Sequence, residues 1–194
     1  MRVFIAVIVL IFSFQSWTKA DDISDFEIEG MSIGDSLLDY FSEGEIKKAE
    51  SNPTIMDDKF IIVFSPSKSE IYDEVQITYK INDKKYLIHA LDGKLLFENN
   101  IDDCKKKLKE IINEVKNIFD GAKIIESVDR KHKYDKSGKT TTTGSYFLFK
   151  SNSYADVYCT DWSSEFYEKE GWVDDLSVNI GSSEYRNFLI EYYK

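Results

Sequence analysis

Short apolar runs that alternate with polar residues, each ended by turn-forming residues, constrain this chain most. Phe60–Phe64 is β-rich and stops at Ser65-Pro66. Residues 74–79 alternate with a period of two, and Asn82-Asp83 turns into residues 86–90. Asp92-Gly93 is the strongest hairpin dipeptide in the chain and leads into residues 94–97. Further on, residues 124–128 read as a strand, and 129–145 as a polar, Thr-rich loop. Residues 146–149 and 155–159 then flank Ser151-Asn152-Ser153 as a hairpin. Leu176, Val178 and Ile180 alternate as a last strand. Strands joined by hairpins make an antiparallel sheet. The pattern therefore predicts an α+β fold, a meander sheet with three main helices packed mainly on one face.

The helical patterns sit between and after the strands. Ser32, with Asp35 reaching back to it, reads as a capping box for a helix whose apolar face is Ile33, Leu37, Leu38 and Phe41. Asn100 and Asp103 cap the longest helix, whose stripe includes Cys104, Leu108, Ile111 and Val115, with Gly121 placed to end it. Trp162 to Glu170 reads as a short helix ended by Gly171. Ser182 or Ser183 caps a last helix with Tyr185, Phe188, Leu189 and Tyr192 on one face. Residues 21–194 suit a single α+β domain, and 32–97 and 101–180 each read as a helix followed by a meander.

Residues 1–20 have the three parts of a secretory signal: Arg2, an apolar run from Val3 to Phe14, and a polar segment ending on Ala20. Cleavage after Ala20 is expected; an uncleaved anchor is the alternative, against which the apolar run is short. Losing Arg2 and Lys19 takes the net charge from −10 to −12. So acidic a surface repels nucleic acid and anionic lipid, and neither is an expected partner. No stable membrane insertion is expected after cleavage. In an exported chain, Cys104 on a helical apolar face and Cys159 on a strand's apolar face form a disulfide by default, with two buried free thiols as the alternative. Neither has a His or Cys at ligand spacing, so no metal is expected. No cofactor is expected either.

Gly34-Asp35-Ser36-Leu37 resembles the nucleophile motif of GDSL hydrolases, and Asp129-Arg130-Lys131-His132 matches that family's late Asp-x-x-His. The resemblance implies Ser36 as nucleophile, His132 as base and Asp129 as the acid that orients it. The family's serine follows a buried parallel strand, and its oxyanion-hole Gly and Asn blocks complete the site. Residues 28–32 make a poor strand here, and those blocks are missing. One electrostatic feature stands out: Arg130, Lys131, Lys133, Lys136 and Lys139 against Asp135 put +4 on ten residues, a candidate anion-docking loop.

The run from Phe26 to Phe41, with Ile28-Glu29-Gly30-Met31-Ser32-Ile33-Gly34-Asp35-Ser36-Leu37-Leu38-Asp39-Tyr40-Phe41 at its centre, resembles the start of a group of small, uncharacterised exported bacterial proteins. The Gly-Met-Ser start also resembles that of BamE-type outer-membrane assembly lipoproteins, whose lipid-accepting Cys is absent here. Neither resemblance implies an activity. The sequence points to an exported, periplasmic or extracellular domain that binds a protein or small ligand, with the GDSL hydrolase as the alternative.

Overall fold

The computed structural model describes residues 23–119, 121–133 and 135–194; the expected signal peptide lies outside the described residues. The described chain forms β1 (Glu27–Ile28), β2 (Met31–Ser32), α1 (Glu43–Ala49), β3 (Thr54–Met56), β4 (Phe60–Phe64), β5 (Glu74–Lys80) and β6 (Ile88–Leu96). It continues with α2 (Ile101–Ile118), β7 (Lys123–Lys131), β8 (Thr141–Leu148), β9 (Tyr154–Asp161), α3 (Ser164–Glu170), β10 (Asp175–Gly181) and α4 (Ser183–Tyr192). Strands β3 to β10 form one antiparallel sheet in the order β3-β4-β5-β6-β10-β9-β8-β7. Two four-stranded meanders thus lie edge to edge, joined where β10 enters between β6 and β9. The fold is α+β, with an open antiparallel sheet.

Alternation assigns each strand residue to a face. One face carries Ile61, Val63, Val75, Ile77, Leu91, Leu176, Val178, Ile180, Val157, Cys159 and Phe147, all buried. Helix α2 covers it, packing on β8, β9 and β10 through Cys104, Leu108 and Val115. Cys104 and Cys159 are bonded as a disulfide, with Cα atoms 6.1 Å apart. Ile46 of α1 joins the same core. Helix α4 lies on the opposite face, where Tyr185 and Phe188 pack on Phe60, Ala90 and Tyr154. Among the described residues, no helix is long and apolar enough to cross a membrane.

Three expectations change. The first helix begins at Glu43, not at Ser32. The Ser32 N–H does donate to Asp35 Oδ2 at 2.9 Å, but the Ser32 hydroxyl goes to Phe26 O instead of capping. Gly34 is left-handed at φ +96°, and its N–H donates to Ile88 O, while the Leu37 N–H donates to Tyr86 O. Residues 31–40 are a clasp on the end of β6, and their apolar residues Met31 and Leu37 are buried in it. The capping box belongs to Ser42 and Glu45. Replacing Ser42 by Ala should therefore cost about 1 kcal/mol of stability, read by urea unfolding, whereas Ser32→Ala should cost less. Equal losses would show that the first cap was misassigned.

Second, Asp92-Gly93 is not a turn. It lies within β6, which runs unbroken across both segments expected to be separate strands. A Cβ on Gly93 would lie 2.7 Å from the Tyr72 ring, so glycine serves here as room for an aromatic side chain. Third, β7 runs to Lys131 and β8 starts at Thr141, so both strands extend well into 129–145 and a tight polar turn from Asp135 precedes β8. Asp135 organises that turn by accepting from the Ser137 and Thr140 N–H groups at 2.8 and 2.7 Å. These bonds, with the Ser137 hydroxyl foremost, hold its carboxyl far below the usual carboxylate range.

Candidate functional site: a polar row on the second sheet face

The face opposite α2 is polar in its middle. Leu91 and Gly93 point to the core, so Asp92 points away from it; the same alternation turns Asn179 and Asp156 outward from β10 and β9. The register pairs Asn179 with Asp92 on one side and with Asp156 on the other. The three side chains therefore form a row across three adjacent strands. Toward α4 the next row is Ala90, Gly181 and Tyr154; away from it the next is Lys94, Ser177 and Tyr158. At ~4.8 Å between strands, the two aspartates root about 10 Å apart.

This row is under-satisfied. Asp92 Oδ1, Asn179 Oδ1, Asp156 Oδ1 and the Tyr154 hydroxyl are buried and have no hydrogen-bond partner among the described residues. Each such atom costs roughly 1–3 kcal/mol, so folding alone does not account for them. Burial pushes the Asp92 carboxyl up to about 6; Asp175 and Glu74 add to this, against Lys94 and Ser177. Burial likewise drives Asp156 well above its ordinary value, with the Asp92 charge adding to it. The Tyr158 phenol is raised for the same reasons. The residues Asp92, Asn179 and Asp156 nevertheless remain partly accessible.

Across the sheet the row continues to Gln76 on β5 and Tyr146 on β8, and aromatic groups flank it along the strands. Toward α4, Tyr154 is 2% exposed and stacks on Tyr146 with ring centroids 5.4 Å apart. Its ring crosses Gly181, where a Cβ would sit 2.3 Å from Cε1, so only glycine lets the hydroxyl reach over β10. Arg186 of α4 steadies this end by donating to the Tyr146 hydroxyl and to Asn152 Oδ1, each at 2.7 Å. In the other direction along β10, beyond Ser177, Trp162 donates through Nε1 to Asp175 Oδ2 at 2.7 Å and packs against Trp172 and Phe166.

The residues singled out in the sequence fall elsewhere. The Ser36 hydroxyl donates to Lys85 O at 2.6 Å and accepts from the Leu38 N–H, capping a short turn. It lies beside Leu87, before β6 begins. Asp129 on β7 accepts from Lys105 and Thr143. The His132 ring packs on Trp162 at 4.8 Å. Strands β10, β9 and β8 separate β6 from β7, and His132 and Ser36 also lie toward opposite ends of these strands. In the basic turn, Lys133 Nζ lies 4.3 Å from the Tyr193 ring centroid, tying the turn to the end of α4. Arg130 and Lys131 belong to the edge strand β7, and Lys136 and Lys139 flank the Asp135-centred turn.

Asp92, Asn179 and Asp156 escape sequence reading because a polar residue at an outward strand position looks like ordinary solvent exposure. The available signal was compositional: Tyr154 and Tyr158 share Asp156's face, and an aromatic–acid–aromatic alternation is unusual for a solvated face. No family model matches this chain, no curated protein matches it, and no solved structure matches its fold. Among the described residues, no group of three or more His, Cys, Asp or Glu side chains is arranged to hold a metal ion.

Proposed function

We propose that this chain is an exported binding domain, acting in the periplasm or outside the cell, whose ligand docks on the row Asp92, Asn179 and Asp156. The observation that carries the reading is the set of four buried, unpartnered polar atoms on a face that stays partly accessible. Export rests on the signal-like residues 1–20 and suits the Cys104–Cys159 bridge. The ligand is a small molecule or a protein side chain, and the acidic surface speaks against nucleic acid.

The alternative is a serine hydrolase using Ser36, His132 and Asp129. Its nucleophile needs a base within hydrogen-bond reach, and the Ser36 hydroxyl instead donates to a backbone carbonyl. A serine-directed fluorophosphonate probe decides between the two. No Ser36-dependent labelling is expected; labelling that Ser36→Ala abolishes would overturn the binding reading.

A further inference from the structure

We infer that the row between β6 and β9 takes an organic cation, an alkylammonium or guanidinium group held between Asp92 and Asp156 against Tyr154 and Tyr158. This rests on the binding reading above and specifies its ligand.

The chemistry of the unpartnered atoms selects the ligand. Two are carboxylate oxygens, one is an amide oxygen and the fourth is a phenol oxygen. With the carboxyls ionised, every one accepts hydrogen bonds, and only the phenol also donates. A ligand that satisfies them together is rich in N–H donors. The acidic side chains do not stand alone as the basis for this. Tyr154 is 2% exposed, its hydroxyl is unpartnered and lies within reach of the Asp156 charge, and Gly181 in the adjoining row leaves the space it occupies over β10.

Spacing separates an organic cation from a metal ion. The carboxylates spring from strands about 10 Å apart. A divalent ion needs its oxygens within ~2.0–2.6 Å, and two outer strands do not converge on such a point without a third acid between them. The residue between them is Asn179, a neutral acceptor that suits an N–H group. The half-buried Tyr158 adds an aromatic face for a cation. Lys94 stands in the next row on the same face, and its charge acts on Asp92 against the burial that raises the carboxyl.

Charge linkage supplies a second reading of the same event. The titratable groups facing the row are Glu74 from β5, Lys94 from β6, Asp175 from β10, Tyr154 and Tyr158 from β9 and Tyr146 from β8. Burial favours the protonated carboxyls, so a cation that enters draws protons off Asp92 and Asp156. Binding should tighten as pH rises from 5 to 7.5 and release protons.

Isothermal titration of the mature protein tests this with four probes: spermidine, the peptide Gly-Arg-Gly, the neutral polyol trehalose and citrate. Asp92→Asn and Asp156→Asn keep the side-chain shape and should fold. The expected result is cation binding that weakens at least tenfold in either variant. It should be unchanged in Glu126→Gln, whose carboxylate pairs with Lys116 near the sheet edge. The binding heat should depend on buffer ionisation. Stronger binding of spermidine assigns the source to free polyamines, and of the peptide to a protein side chain. Trehalose or citrate binding that depends on Asp156 would keep the site and overturn the cation. If none of the four probes binds in a manner that depends on Asp92 or Asp156, both the cation and the site reading fall.

Discussion

Replacing Cys104 and Cys159 together by Ala should remove about 4 kcal/mol of stability, the largest effect expected from any change outside the apolar core. The two cysteines are 55 residues apart in sequence, so the bond removes a long closed loop's freedom from the unfolded chain. It also ties α2 to β9, the strand with which the helix makes most of its contact. Both side chains are buried, at 0% and 1% exposure, so reduction releases thiols into the core, not into solvent. The melting temperature of the double variant should fall by roughly 8–16 °C, at ~2–4 °C per kcal/mol for a chain of this size. A drop of under 2 °C would show that the unfolded chain already holds these segments together.

Replacing Asp92 by Asn should do the opposite and raise stability at neutral pH, by about 3 kcal/mol or less. The folded carboxyl titrates at about 6, above its ordinary value, because burial disfavours its charge. A raised acid binds its proton more tightly in the folded state. Its favourable contribution is complete below the unfolded value of ~3.9 and is lost as pH rises through about 6. Wild type and Asp92→Asn should therefore melt within a few degrees of each other at pH 4 and diverge by roughly 6–12 °C at pH 7.5, the variant being the more stable. Asp156→Asn should shift stability in the same direction. Equal melting curves at both pH values would refute the buried ionisation.

The fold was legible wherever local pattern and tertiary packing agreed. Leu176, Val178 and Ile180 alternate because one face of β10 meets α2, and Asn100 caps α2 through the Asp103 N–H at 3.2 Å. Cys104 and Cys159 could be paired because each lies on an apolar face of its element. Legibility failed where a residue's local preference was overruled. Asp92-Gly93 has the chemistry of a tight turn, yet Tyr72 needs the space above Gly93 and the row needs the Asp92 carboxylate, so the dipeptide sits mid-strand. Ser32 and Ser42 both head cap-like strings. Only the hydrogen bonds from Gly34 and Leu37 to the Tyr86–Ile88 backbone show that the first string is pinned to the sheet. Of the candidate site, Asp92 was visible as a turn residue and Asp156 as a strand residue. Their meeting across Asn179 depends on strand order, which no local pattern encodes.

That order has a consequence for how the molecule comes into being. The strand at the centre of the sheet, β10, is the last one made, and it alone joins the meander that ends in β6 to the one that begins with β7. A chain emerging with its N-terminus first holds two unjoined sheets with open edges until residues 175–181 arrive. Asn179 is the middle member of the row, so Asp92 and Asp156 become neighbours in that same final step. The binding face is thus a record of completion: a chain truncated before β10 has every acid of the row and no row.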